Sequence, residues 1–185
     1  MGKEPFYKNK KLLVSSIGLF MILIMVLSAL NMGSSNEKQE KITYNNYKFT
    51  KQDNYWVSYI NNQYLSFEYN PYEIENLTLP NYNFNLDKYY IAYNPIQLTQ
   101  EMQVMQILNY WLNYFNTKPT VACYEEKGCP DIPLIDCKED NSIKLIYSNQ
   151  TKVYIEDKCF VLQGTKEEQT KYIYKIVYSL LGVIQ

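Results

Sequence analysis

The chain has 185 residues, 18 lysines against 19 acids, no arginine and no histidine, and a net charge of −1 at pH 7. A near-neutral chain without arginine is poorly matched to a phosphate backbone, which excludes nucleic acid as the expected partner. Without histidine there is no Ser-His or Cys-His pair and no histidine ligand for a catalytic metal. The P-loop, G-x-S-x-G and G-x-G-x-x-G patterns are also absent.

Residues 1–11 carry Lys3, Lys8, Lys10 and Lys11 against Glu4, and form a basic tail. Leu12 to Met32 then runs without a charged residue. At about 1.5 Å of rise per residue it reaches roughly 30 Å as a helix, the thickness of a bilayer's hydrocarbon core. The expectation is one transmembrane helix, residues 12–32, whose partner is the lipid bilayer. Lysines cluster before it and only Glu37 and Lys38 follow within Gly33 to Gln39. The positive-inside rule therefore puts the N-terminus in the cytoplasm and the remainder outside. A cleaved secretory signal is the rival, with Ser28 and Ala29 as the small residues at a cleavage site, but the run exceeds the usual apolar region of a signal peptide. No lipobox cysteine follows, and Phe6 stands where a myristoylation signal needs Ser or Thr. Residues 33–42 read as a polar linker, and residues 43–185 as one extracytoplasmic domain of ordinary size with a formal charge of −4 from residue 33 onward.

Within the domain, Tyr47 to Phe49 and Tyr55 to Ile60 are short β-rich runs. Tyr64 to Tyr69 alternates, with Leu65, Phe67 and Tyr69 on one side, and Asn61-Asn62 suits a two-residue hairpin turn. Asn70-Pro71 ends that hairpin, and residues 71–87 read as a loop with at most one short strand. Tyr89 to Tyr93 is a buried strand, ended by Asn94-Pro95 at the start of a helix from about Ile96 to Phe115. Leu98, Met102, Met105, Leu108, Leu112 and Phe115 mark its core face, with Trp111 beside them.

A short strand, Thr120 to Tyr124, leads into a cysteine-rich connection. Ile143 to Tyr147 and Lys152 to Ile155 flank Ser148 to Thr151, read as a hairpin tip, and Cys159 to Gln163 completes three short antiparallel strands. Gly164 breaks the last strand, and Thr165 with Glu168 makes a capping box. The helix it opens bears Ile173, Ile176, Val177, Leu180, Leu181 and Ile184 on one face, and four charges in its first half exclude a second span. The expected fold class is α+β: the transmembrane helix, then a largely antiparallel sheet with two helices packed on one face.

Cys123, Cys129, Cys137 and Cys159 all lie in the outside part. An even count outside the cytosol reads as two disulfides, with three possible connectivities. The favoured pairing joins Cys123 to Cys129 around CYEEKGC and Cys137 to Cys159 between two strand ends. A four-cysteine zinc site competes, although gaps of five, seven and twenty-one residues lack its usual knuckles, and a redox pair would need the missing C-x-x-C. Asp131, Asp136, Glu156 and Asp157 cluster near these cysteines in sequence. They read as turn acids, with paired-carboxylate hydrolysis or calcium ligation as the alternatives. Asn76-Leu77-Thr78 and Asn149-Gln150-Thr151 are glycosylation acceptor patterns on expected loops, making Asn76 and Asn149 candidates.

The anchor, YKFTKQDNYW, FEYNPYEIE, YYIAYNP, CPDIPLIDC, IEDKCFVLQG and a last helix ending LLGVI together resemble a loose group of single-pass extracytoplasmic proteins predicted from archaea with small, AT-rich genomes. The resemblance covers most of the outside part and implies a compartment and an architecture, with no activity attached. It also favours joining Cys137 to Cys159, both within resembling segments.

No catalytic residue, cofactor or metal site is expected. The function read from the sequence is a membrane-anchored, non-catalytic interaction or assembly subunit at the cell envelope, meeting an envelope protein through surface tyrosines and Trp56. The alternatives are an anchored carbohydrate-binding or carboxylate-dependent hydrolase domain, tied to Asp131 and Asp136, and a pilin-like surface subunit. Against the last, the Lys10-Lys11-Leu12 junction lacks a prepilin glycine and the linker interrupts a continuous helix.

Overall fold

The computed structural model describes residues 10–31, 39–84 and 88–184. Most of the expected basic tail and of the polar linker lies outside those residues. The chain divides into two units, Met1–Gln39 and Glu40–Gln185.

The first unit is α1 (Lys10–Asn31), a helix over the charge-free run. Its described side chains, residues 14–28, are exposed around the whole circumference, from Ile24 at 44% to Met25 at 74%. Among the described residues, no helix is long and apolar enough to cross a membrane.

The second unit is α+β, as expected, but holds two sheets. The first is antiparallel in the order β1 (Lys41–Tyr44), β2 (Tyr47–Gln52), β3 (Tyr55–Ile60), β4 (Gln63–Phe67). Asparagine and aspartate make its three turns: Asn45 and Asn46, then Asp53, then Asn61 and Asn62 have positive φ, which Asn and Asp tolerate better than most residues. β1 takes in Lys41 and Ile42, which the sequence reading gave to the linker.

The loop expected at 71–87 contains α2 (Pro71–Ile74), one turn long, with Pro at its start. Asn70 accepts the Glu73 N–H while the Glu73 carboxylate accepts the Asn70 N–H, a complete capping box. At the last helix, by contrast, Thr165 accepts the Glu168 N–H at 3.4 Å, and the Glu168 carboxylate turns to Lys171 at 3.2 Å.

The second sheet corrects the expectation of one largely antiparallel sheet. Its order is β6 (Lys118–Cys123), β5 (Lys88–Tyr93), β7 (Ser142–Tyr147), β9 (Cys159–Gly164), β8 (Lys152–Glu156), and only β8 is antiparallel to its neighbour. β5 and β6 are joined by a 3-10 turn and α3 (Leu98–Tyr114), a helical crossover that makes adjacent strands parallel. The expected 143–155 hairpin does not form, because β9 lies between β7 and β8. The physical reason is burial: Cys159 to Leu162 are all buried and fill both faces of a central strand, whereas β8 is mostly exposed and belongs at an edge.

Alternation along these strands separates two cores. Tyr89, Ile91, Ile143, Leu145, Phe160 and Leu162 face α3 and α4 (Lys166–Leu180), which both pack on that side, and the inward residues of the first sheet join the same core. At its centre the Phe67 ring stacks on Tyr178 at 4.6 Å and Trp111 at 5.4 Å. Trp56 is buried here, so it is no contact residue. On the opposite face, Ala92, Ala122 and Val161 lie under Ile135 of the connection that follows β6. The expected α3 core face holds at Leu108 and Leu112, with Trp111 buried beside them and Met105 and Phe115 half-buried against the core; Met102 is exposed, Glu101 and Val104 are buried instead, and the Leu98 side chain lies outside the described residues.

Candidate functional site

Three groups of residues were expected to carry chemistry or modification, and the fold separates them. The four cysteines form two disulfides, Cys123–Cys129 with Cα atoms 6.1 Å apart and Cys137–Cys159 at 5.1 Å. Together they fasten the connection between β6 and β7 across the smaller core. Between the two bridges, Ile135 N–H donates to the Cys123 carbonyl and Cys123 N–H to the Pro133 carbonyl, both at 2.9 Å, so this segment runs beside the end of β6. Ser142 Oγ lies 2.8 Å from Cys159 Sγ; a disulfide sulfur has no proton, so the hydroxyl donates.

The acids do not converge. Asp136 is occupied within its own turn, accepting the Lys138 N–H at 3.0 Å on Oδ1, and its N–H donates to Asp140 at 3.1 Å. Glu156 pairs with Lys144 at 3.1 Å, while Asp131 and Asp157 are exposed. Among the described residues, no three His, Cys, Asp or Glu side chains could hold a metal ion together. Asn76 and Asn149 are both exposed, each with an exposed threonine two positions on.

Sequence reasoning missed Glu101, the one fully buried acid among the described residues. It lies in the first turn of α3, and its carboxylate joins the ends of two parallel strands: Oε2 accepts the Asn94 N–H at 3.3 Å beyond β5, and Oε1 accepts the Tyr147 N–H at 3.1 Å in β7. Burial pushes its pKa up to about 7, partly opposed by those two hydrogen bonds. Tyr124 lies nearby, and burial, with the Glu101 charge second, raises its hydroxyl pKa. Lys144 Nζ sits 4.9 Å over the Tyr124 ring.

This cluster lies at the carboxyl ends of β5 and β7. Between those strands the chain's progression reverses, the place where open parallel sheets bind ligands. Here the carboxylate is sealed, with two backbone donors and no exposed surface. What it can do is gain or lose one proton near neutral pH while fastening β5, β7 and α3. A signal for it existed: Glu101 is the only charged residue from Ile96 to Phe115, on the same helical face as Val104 and Leu108.

The exposed apolar side chains include a cluster of aromatics. Tyr55, Tyr59 and Tyr64 stand on the outer face of the first sheet, exposed by about half or more, with the Tyr59 and Tyr64 rings 5.0 Å apart. Comparison of the chain with protein-family models, curated proteins and solved structures finds no match.

Proposed function

We propose that this protein is a membrane-anchored, extracytoplasmic interaction or assembly subunit of the cell envelope, without catalytic activity of its own. The observation that carries the reading is α1. A helix apolar on every side belongs either in a protein core or in a bilayer, and the described side chains of this one are uncovered all round. Ser28 supports it by returning its hydroxyl to the Ile24 carbonyl at 2.7 Å, so that its polar atom is satisfied inside the helix, as hydrocarbon requires.

The two disulfides favour an oxidising compartment for the second unit, consistent with lysines on the other side of the anchor. Tyr55, Tyr59 and Tyr64 are the contact residues of choice, since amphipathic aromatics are enriched where proteins meet. The test is the intact mass of the protein extracted from its own membranes, with and without reduction. A full-length chain lighter than its reduced form by the hydrogens of two disulfides supports anchor and compartment together. A truncated chain overturns the anchor, and free thiols overturn the compartment.

A further inference from the structure

The edges of the two sheets differ in what they offer a partner. Among the described residues β1, Lys-Ile-Thr-Tyr, has a cation and no acid; β4, Gln-Tyr-Leu-Ser-Phe, has no charge; and β6 carries Pro119, which has no N–H to give. β8 is Lys152-Val153-Tyr154-Ile155-Glu156, without proline or glycine. It pairs residue for residue with β9 and with no other strand. Among the described residues no further backbone hydrogen bond reaches it, so its outer N–H and C=O groups are free to pair.

We propose that β8 pairs antiparallel with β8 of a second copy of this chain, about a two-fold axis at Tyr154. In that register the strand is its own complement. Lys152 of each copy faces Glu156 of the other, Val153 faces Ile155, and Tyr154 meets Tyr154. The two charge pairs are related by the axis, as an isologous contact demands. A slip by two residues in either direction removes both of these pairs, so charge fixes the register as well as the partner. Tyr154 and Ile155 are exposed by 37% and 40%, apolar surface that the second copy covers. Glu156 also pairs with Lys144 of β7 at 3.1 Å within its own chain, a contact that the second copy's lysine joins or replaces.

A contact of one short strand is small beside a standard interface. Confinement of both copies to one membrane raises their effective concentration, and this is how so small a contact becomes populated. The inference narrows the assembly reading above to a second copy, and its test separates the two.

The full-length chain is reconstituted in lipid vesicles over a range of protein-to-lipid ratios, and the mass of the species ejected from those vesicles is measured at each surface concentration. A dimer is expected, weakened at least tenfold by Lys152→Glu or by Glu156→Lys, each of which places like charges opposite one another. The double variant restores complementarity and should restore the dimer, an outcome that damage to the fold would not give. Tyr154→Cys should form a covalent dimer on mild oxidation, whereas Tyr64→Cys on the other sheet should not; both native disulfides are checked by mass in each variant. A single-chain mass at every concentration, or a dimer indifferent to both charge reversals, overturns the proposal. A monomer that still crosslinks to other envelope proteins leaves the assembly reading standing and removes only self-pairing.

Discussion

Glu101 accepts the backbone N–H of Tyr147 across 46 positions of sequence, at 3.1 Å, while its other oxygen holds Asn94. One carboxylate thus fastens two parallel strands to the helix that follows the first of them.

Burial raises the Glu101 pKa from 4.5 to about 7. Between those values the folded chain keeps a proton that the unfolded chain releases. Stability therefore falls as pH rises through that window, by roughly 3 kcal/mol in all, and levels off above it. Denaturant unfolding from pH 4 to 8 should show the slope. Glu101→Gln removes it, at a cost of about 1–3 kcal/mol, because the Gln amide group then faces one of the two N–H donors. A variant that keeps the wild-type slope would assign it to another group.

Cys137–Cys159 closes a span of 22 positions and Cys123–Cys129 one of 6. Chain entropy then gives about 3 and about 2 kcal/mol respectively. Replacing each pair by alanine and comparing denaturation midpoints should preserve that order. Equal losses would mean that the smaller core, not loop closure, sets the cost.

Phe67 and Tyr64 point to opposite faces of β4. Phe67→Ala empties the space between Trp111 and Tyr178, for a loss of about 3–5 kcal/mol. Tyr64 is 78% exposed, and Tyr64→Ala should stay within about 0.5 kcal/mol. Thermal melts of the two variants make the comparison.

Ser58 is 2% exposed and its hydroxyl has no partner among the described residues. Removing an unsatisfied buried hydroxyl relieves its desolvation cost, so Ser58→Ala should raise stability by about 1 kcal/mol. A drop in melting temperature would show that the hydroxyl is satisfied in solution, by bound water for example.

Local chemistry was legible in the sequence and long-range neighbourhood was less so. Asn61-Asn62 set a hairpin because a two-residue turn leaves its strands no other way to pair. Ser148 to Thr151 looked equally like a tip, but four residues also let the chain step past one strand position, into which β9 later fits. The warning lay in composition: Cys-Phe-Val-Leu is apolar on both faces, whereas Lys-Val-Tyr-Ile-Glu is not. Two helices on one side of the second sheet were foreseen; its parallel strands were not, although a strand, a helix and a strand in succession is the usual route to them. Glu101 leaves a fainter mark, a lone acid in an apolar helical stripe, where Met102 beside it fits the apolar pattern better although it is exposed.

Pro119 decides how far strand addition can go. Once two copies have joined through β8, each end of the shared sheet is a β6 edge interrupted by that proline. The proposed union therefore uses up the β8 edge and leaves only proline-interrupted edges on this sheet, so strand addition there stops at two chains.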